Sequence, residues 1–219
     1  PPIAEAVALG AAVDYLSAAD HLLRHSQLQS GRHRLLEGRA LGIKGICATL
    51  RGDIVEARQA FETAERLLQL LGPSRDLALV QQNFGSFCNR TGDYATAQLA
   101  LSSAASHWRL MGDRHGLATT QTILGDLHLR LGNLEAAGSE LNDALNAARS
   151  VGALRMEAWA TASLGQWHRA NGRIVDAVAA FDEALALFES ANDEWNAAAM
   201  LNQLGMTLGY LGDSVGARR

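Results

Sequence analysis

Two histidines four residues apart, His21 and His25, are the pair in this sequence that most resembles a set of metal ligands. Side chains at i and i+4 lie on the same face of a helix, and two such histidines can bind zinc. No cysteine or carboxylate follows at a supporting spacing, and no glutamate stands where the HExxH motif requires one. We interpret this segment as a surface helix and predict no metal site and no cofactor.

Other residues with chemical potential come in pairs at matching places along the chain. His128 and His168 are 40 residues apart, and Cys47 and Cys88 are 41 apart. For the histidines, semi-buried packing and a pH-sensitive or ligand-contacting role are both open. For the cysteines we expect buried, reduced thiols. Neither a GxxxxGKS/T nor a GxGxxG phosphate loop occurs, so we predict no catalytic residue and expect a protein that is not an enzyme.

The composition favours helices and argues against several classes of partner. Hydrophobic residues make up 48% of the 219 residues, and only 3 are proline. The net charge is −4, and no long basic run offers the concentrated positive surface that nucleic acids need. No apolar run has the roughly 18–20 residues of a membrane span, and no signal peptide is visible. We therefore expect a cytoplasmic protein without a nucleic-acid or membrane partner.

A repeat of 40 residues organises the chain. Glycines recur at that period in two registers, at 45, 85, 125, 165 and 205 and again at 52, 92, 132, 172 and 212. Alanines follow at 57, 97, 137 and 177, and a large apolar residue follows at 61, 101, 141 and 181. A fixed period of this size is typical of stacked helical repeats. The small mid-helix residues allow close packing of helices, and we expect Gly125 to pack against Ala137.

Each repeat predicts two antiparallel helices joined by a tight turn. The second glycine ends the first helix, and Asp53, Asp93, Asn133 or Asp213 then caps the next one. Arg173 stands at the same place and predicts a weaker helix start. The predicted helices span 33–51, 53–71, 76–91, 93–111, 115–131, 133–151, 153–171, 173–191 and 193–211.

Two further predicted helices, 3–12 and 14–29, form a degenerate unit within residues 1–32, which brings the total to about eleven. Residues 33–219 then form the regular 40-residue repeats, and the last of these is truncated at Arg219. We expect an all-α fold, a right-handed superhelical solenoid of antiparallel helix pairs, cut from a longer protein.

The order of these residues resembles the tetratricopeptide repeat. One match runs Leu124, Gly125, Gly132, Ala137, Leu141 and Ala144. The repeat departs from the family in being 40 residues long and in lacking its closing proline and first-helix tyrosine. Its length and long helices resemble the solenoids of MalT-like, large LuxR-type bacterial regulators.

The resemblance implies that the first helix of each unit lines a concave groove. Carried over residue by residue, the family's groove positions give uncharged amides, hydroxyls, one pair of opposite charges and an exposed tryptophan. Such side chains can bind a peptide backbone or sugar hydroxyls. The predicted site residues are Gln82, Ser86, Asn89, Thr122, Asp126, Trp159, Gln166, Arg169 and Asn202.

Two functions fit these observations. The first is an interaction domain that binds a peptide or protein segment in the groove, within a larger bacterial signalling protein or transcriptional regulator. The alternative, implied by the MalT-like resemblance, is a sensor domain for a small effector in an ATPase transcription regulator. A third possibility is that the polar groove residues only keep the surface hydrated, with Asp126 and Arg169 pairing across it.

Overall fold

The computed structural model describes residues 31–210 and Gly212. The degenerate unit predicted within 1–32 and the last, truncated helix predicted beyond Gly212 lie outside the described residues, apart from the start of the first helix. Nine helices, rather than about eleven, are therefore seen, and the described part of the chain contains no strand. The helices are α1 (Gly31–Arg51), α2 (Ile54–Gln69), α3 (Arg75–Thr91), α4 (Tyr94–Met111), α5 (Arg114–Arg130), α6 (Leu134–Ser150), α7 (Leu154–Ala170), α8 (Ile174–Ser190) and α9 (Glu194–Tyr210).

The chain divides into two compact units at Met111 and Gly112. In unit one, α1 packs against α2 and α3 against α4. In unit two, α5 packs against α6 and α7 against α8, while α9 packs against α8. In both units the first helices of neighbouring pairs also touch, α1 with α3 and α5 with α7. The predicted all-helical architecture of helix pairs is confirmed.

The helix ends are set by the residues that the repeat predicted. The turn glycines, among them Gly92 and Gly132, have φ between +64° and +86°, which an L side chain adopts only at a cost. Asn192 takes the glycine position in one turn with φ 52°, and it is the one non-glycine residue of positive φ in the described chain. Asparagine tolerates this region better than most residues, so the turn is kept.

Capping side chains begin most of the helices. Asp53 accepts the backbone N–H of Glu56 at 3.0 Å, and Asp113 accepts that of Gly116 at 2.9 Å. Asn133, predicted to be a good cap, makes no side-chain capping bond. Arg173 likewise does not cap α8, but its Nε donates to Asp176 in the first turn at 2.7 Å.

Small residues on the first helix of each pair let the large residue of the second helix pack against it. A Cβ built at Gly85 would lie 2.5 Å from Cγ of Leu101, and one at Gly165 would lie 2.7 Å from Cε1 of Phe181. The atoms nearest to a Cβ at Gly125 belong to Leu141 and not to Ala137. The glycine register therefore fixes how closely the two helices of a pair approach.

Candidate functional site

A cleft of about 690 Å³ opens in unit two. Three of the predicted site residues, Asp126, Gln166 and Arg169, line it together. The other lining residues are Leu129, Arg130, Ala170, Ile174 and Tyr210. The cleft thus takes side chains from the C-terminal turns of α5, α7 and α9 and from the first residue of α8.

Helical spacing and the repeat together place these side chains. Asp126 and Arg130 stand four residues apart on α5, so they share one face of that helix. Gln166 and Ala170 occupy the same two places on α7, one repeat later. Because α5 and α7 pack against each other, the two sets of side chains line one surface.

Arg169 is held in position by α9 and α8. Its Nη1 donates to Oε1 of Gln203 at 2.8 Å and to Oγ1 of Thr207 at 3.3 Å. Its guanidinium carbon lies 5.6 Å from the centroid of the Phe181 ring, a favourable cation–π distance. The half-buried side chain therefore presents a guanidinium of fixed orientation to the cleft.

Asp126 carries a buried oxygen with no partner. Its Oδ1 is inaccessible to solvent and has no hydrogen bond within the described chain. Burial raises the pKa of this carboxyl from its ordinary 3.8 to about 6, while a hydrogen bond with Ser163 and the charge of Arg130 act in the opposite direction. An unpaired buried polar group is costly, so this oxygen is poised to accept or donate a hydrogen bond when a ligand enters.

The two arginines of the cleft are not neutralised by carboxylates. Arg130 and Arg169 take part in none of the ion pairs found among residues 31–210, so the pairing of Asp126 with Arg169 across the groove is not seen. By contrast, Arg149 in the same unit pairs with both Glu157 and Glu183, at 2.7 and 3.0 Å. The cleft therefore has a positive balance of fixed charge.

Three predicted site residues lie in unit one, where two of them are buried. Gln82 is 8% exposed, and its Oε1 accepts the indole N–H of Trp108 at 3.1 Å. Asn89 is 5% exposed, and its Oδ1 has no hydrogen-bond partner in the described chain. Ser86 is half-buried and lines a small cavity of about 120 Å³ together with Asn83 and Arg90.

The remaining predicted residues of unit two lie outside the lining of the cleft. The Thr122 hydroxyl donates to the carbonyl of Ala118 at 3.0 Å, within its own helix. Trp159 is 46% exposed and sets its ring edge-on to Phe188, with the centroids 5.6 Å apart. Asn202 is exposed on α9.

Three lining residues were missed by sequence reasoning. Arg130 could have been found from its i+4 spacing to Asp126. Ile174 and Tyr210 come from helix ends that the family's groove positions do not include. In unit one, sequence reasoning also missed Asp76, which forms a two-pronged pair with Arg39 at 2.6 and 2.9 Å beside an apolar cavity of about 310 Å³.

The paired histidines and cysteines are buried groups rather than a ligand cluster. The Nδ1 atoms of His128 and His168 are buried and without hydrogen bonds in the described chain. Burial and the charge of Arg173 lower the pKa of His168. Burial raises the pKa of the Cys88 thiol to about 12. Among the described residues, no three His, Cys, Asp or Glu side chains come together as metal ligands.

None of the helices in the described ranges combines the length and hydrophobicity that a membrane span requires.

Comparison with known proteins supports the repeat assignment. Residues 76–150 match the tetratricopeptide repeat family. No curated protein matches the chain.

Several crystal structures have a similar fold. BtubC (BKLC) from P. vanneervenii is similar with a TM-score of 0.73 at 17% identity, over 96% of this chain and 85% of that one. A Rap protein complexed with Competence and Sporulation Factor has a TM-score of 0.74 at 18% identity, over 90% of this chain and 56% of the Rap chain. The Rap conjugation gene regulator of plasmid pLS20, in complex with the Phr* peptide, has a TM-score of 0.73 at 19% identity, over 88% and 53%.

This chain therefore spans little more than half the length of the Rap proteins it matches. At these identities the likeness concerns the fold. The chain has the helix-pair fold of tetratricopeptide repeat proteins, with a polar cleft between the first helices of unit two.

Proposed function

We propose that this protein is a non-enzymatic interaction domain that binds a peptide or protein segment in the cleft of unit two. The observation that carries the proposal is the meeting of Asp126, Gln166 and Arg169 around a cleft of about 690 Å³. All three are groove positions that the tetratricopeptide resemblance singled out.

The chemistry of the lining suits an extended peptide. A peptide backbone needs both donors and acceptors, and the Gln166 amide supplies one of each. Arg169 adds a fixed donor, while Leu129 and Ile174 add apolar walls for side chains. Binding would also provide a partner for the buried oxygen of Asp126.

The similar structures support a peptide ligand. One Rap protein was solved with Competence and Sporulation Factor and another with the Phr* peptide. By analogy, we propose that this chain recognises such a segment as part of a larger bacterial signalling protein or transcriptional regulator in the cytoplasm. The protein would act by binding, with no catalytic residue of its own.

One observation favours the alternative of a small-effector sensor of the MalT-like type. The cleft volume of about 690 Å³ falls inside the range of roughly 300–1,000 Å³ that small-molecule sites occupy. A free effector the size of a short peptide would therefore also fit.

Selection of peptides from a random display library on the purified protein tests the proposal. A selected peptide should bind Gln166→Ala at least about tenfold more weakly than the wild type, a loss of about 1.4 kcal/mol. Gln98→Ala, an exposed amide of α4 in unit one, is the matched control and should bind normally.

Equal affinity of the wild type and Gln166→Ala would place the binding site elsewhere. If no peptide is recovered, but a pool of small metabolites raises the melting temperature of the wild type and not of Gln166→Ala, the sensor alternative is favoured.

A further inference from the structure

We propose that the cleft of unit two binds a carboxylate of its ligand between Arg130 and Arg169, and that Asp126 joins this contact as the neutral acid. The inference rests on the proposed function, because it names the chemical group that the same cleft would take. It makes binding proton-coupled: above the pH at which Asp126 ionises, each ligand bound takes up one proton.

The first argument is the unmatched positive charge. Arg130 and Arg169 have no ion pair among the described residues, whereas Arg149, Arg155 and Arg173 of the same unit all do. A planar guanidinium prefers a carboxylate, which it can bind with two parallel hydrogen bonds. Because Gln203 and Thr207 already orient Arg169, little side-chain freedom is lost on binding.

The second argument is the state of Asp126. As an ionised group it would repel an incoming carboxylate, and as a neutral acid it can donate an O–H to one. Burial of Oδ1 without a partner disfavours the charged form. The pKa of about 6 agrees with this geometry, since the neutral form is then available near neutral pH.

The surrounding groups favour an anion over a cation. The charged and titratable groups that face Asp126 are Arg130 on its own helix, Arg169 on α7 and Tyr210 on α9, and Ser163 on α7 is its hydrogen-bond partner. In the described chain, neither α6 nor α8 adds a titratable side chain to the lining. Two guanidiniums against one carboxyl would repel an ammonium group but attract a carboxylate.

The proton coupling gives a quantitative expectation. If only the neutral form of Asp126 binds, the apparent affinity is reduced by the fraction of protein that is ionised. With ionisation near pH 6, binding at about pH 7.5 should be roughly 30-fold weaker than at about pH 5.

The test uses N-acetyl-dialanine with a free carboxylate, and its C-terminal amide as the uncharged counterpart. The carboxyl of this probe ionises well below pH 5, so the probe itself does not titrate in the range studied. Binding to the whole chain is followed by NMR titration at about pH 5 and about pH 7.5, with inorganic phosphate as a second anion. The free acid should shift resonances of residues 126–130 and 166–174 and bind more tightly at the lower pH, and its amide should not bind.

Variants separate the roles of the residues. Asp126→Asn keeps an N–H donor without a titrating group, so it should bind at about pH 7.5 as the wild type binds at about pH 5. Arg130→Gln should weaken binding at both pH values. Asp143→Asn, an exposed carboxyl of α6, should keep the wild-type pH profile.

The inference is overturned if the acid and the amide bind alike, if binding of the acid to the wild type does not change with pH, or if only phosphate binds. It is also overturned if the acid produces no saturable shift. A display-selected peptide that still requires Gln166 in any of those cases would leave the proposed function standing, so the two failures can be told apart.

Discussion

The backbone of Gly125 lies directly against the side chain of Leu141, so that a Cβ added at Gly125 would stand 2.5 Å from Cδ2 of Leu141. That distance is far below a normal carbon–carbon contact of roughly 3.5–4.0 Å. Gly85 and Gly165 repeat the relationship with Leu101 and Phe181. The close approach of two helices at these glycines is therefore a structural rule of the repeat.

Gly125→Ala should destabilise the protein, because the new methyl group overpacks the α5–α6 contact. We expect a loss of about 1–3 kcal/mol in the free energy of unfolding, measured by urea denaturation. Gly209→Ala is the control: no atom lies within 4 Å of a Cβ at that helical position, so alanine should stabilise it by about 0.5–1 kcal/mol. Equal effects of the two substitutions would contradict the packing argument.

Gln82→Leu should also destabilise the protein. The substitution removes the acceptor of the Trp108 indole N–H and leaves that donor buried without this bond. The expected cost is about 1–3 kcal/mol, read from thermal or urea unfolding. Gln98→Leu on the exposed face of α4 should change stability little, and a similarly small effect of Gln82→Leu would show that this bond is dispensable.

The stability of the wild type should depend on Asp126 at mildly acidic pH. The folded carboxyl has a pKa near 6 against an ordinary value of 3.8, so the folded state holds this proton more tightly than the unfolded state. Its contribution to the free energy of unfolding should therefore fall as the pH rises from about 4 to about 6.

The difference in unfolding free energy between Asp126→Asn and the wild type, measured across that range, should follow the same curve. The difference for Asp143→Asn should stay flat. A flat difference for Asp126→Asn as well would mean that the carboxyl titrates normally in the folded protein.

Both thiols should resist alkylation in the folded protein. Cys47 and Cys88 are 1% and 0% exposed, and burial raises the pKa of each thiol, that of Cys88 to about 12. Since the thiolate is the reactive form, iodoacetamide at about pH 8 should label neither residue until denaturant is added. Mass spectrometry of the intact protein measures this directly, and rapid labelling of the native protein would contradict the burial of these residues.

The helices could be predicted closely from the sequence because their ends depend on local chemistry. The prediction of 133–151 for one helix compares with Leu134–Ser150 in the structure, since a turn glycine and a capping position mark its start. The two helices predicted before residue 30 lie outside the described residues. The predicted cap at Asn133 did not form, because residue type alone does not fix the side-chain rotamer.

The candidate site was predicted only in part, because groove positions are local and hydrogen-bond partners are not. Periodicity placed Asp126, Gln166 and Arg169 on neighbouring helices, and the structure brings them to one cleft. Periodicity could not show that the Gln82 oxygen meets Trp108, 26 residues away. It also gave no sign that Tyr210 would reach the same cleft from the last turn of α9.

The most direct test of the central claim is to locate a bound peptide on the protein. A display-selected peptide carrying a benzophenone would be photo-crosslinked to the wild-type protein, and the modified residues identified by mass spectrometry. The account predicts crosslinks within 126–130 and 166–174 and at Tyr210, the segments that line the cleft. Crosslinks confined to unit one or to the body of α6, residues 134–150, would contradict it.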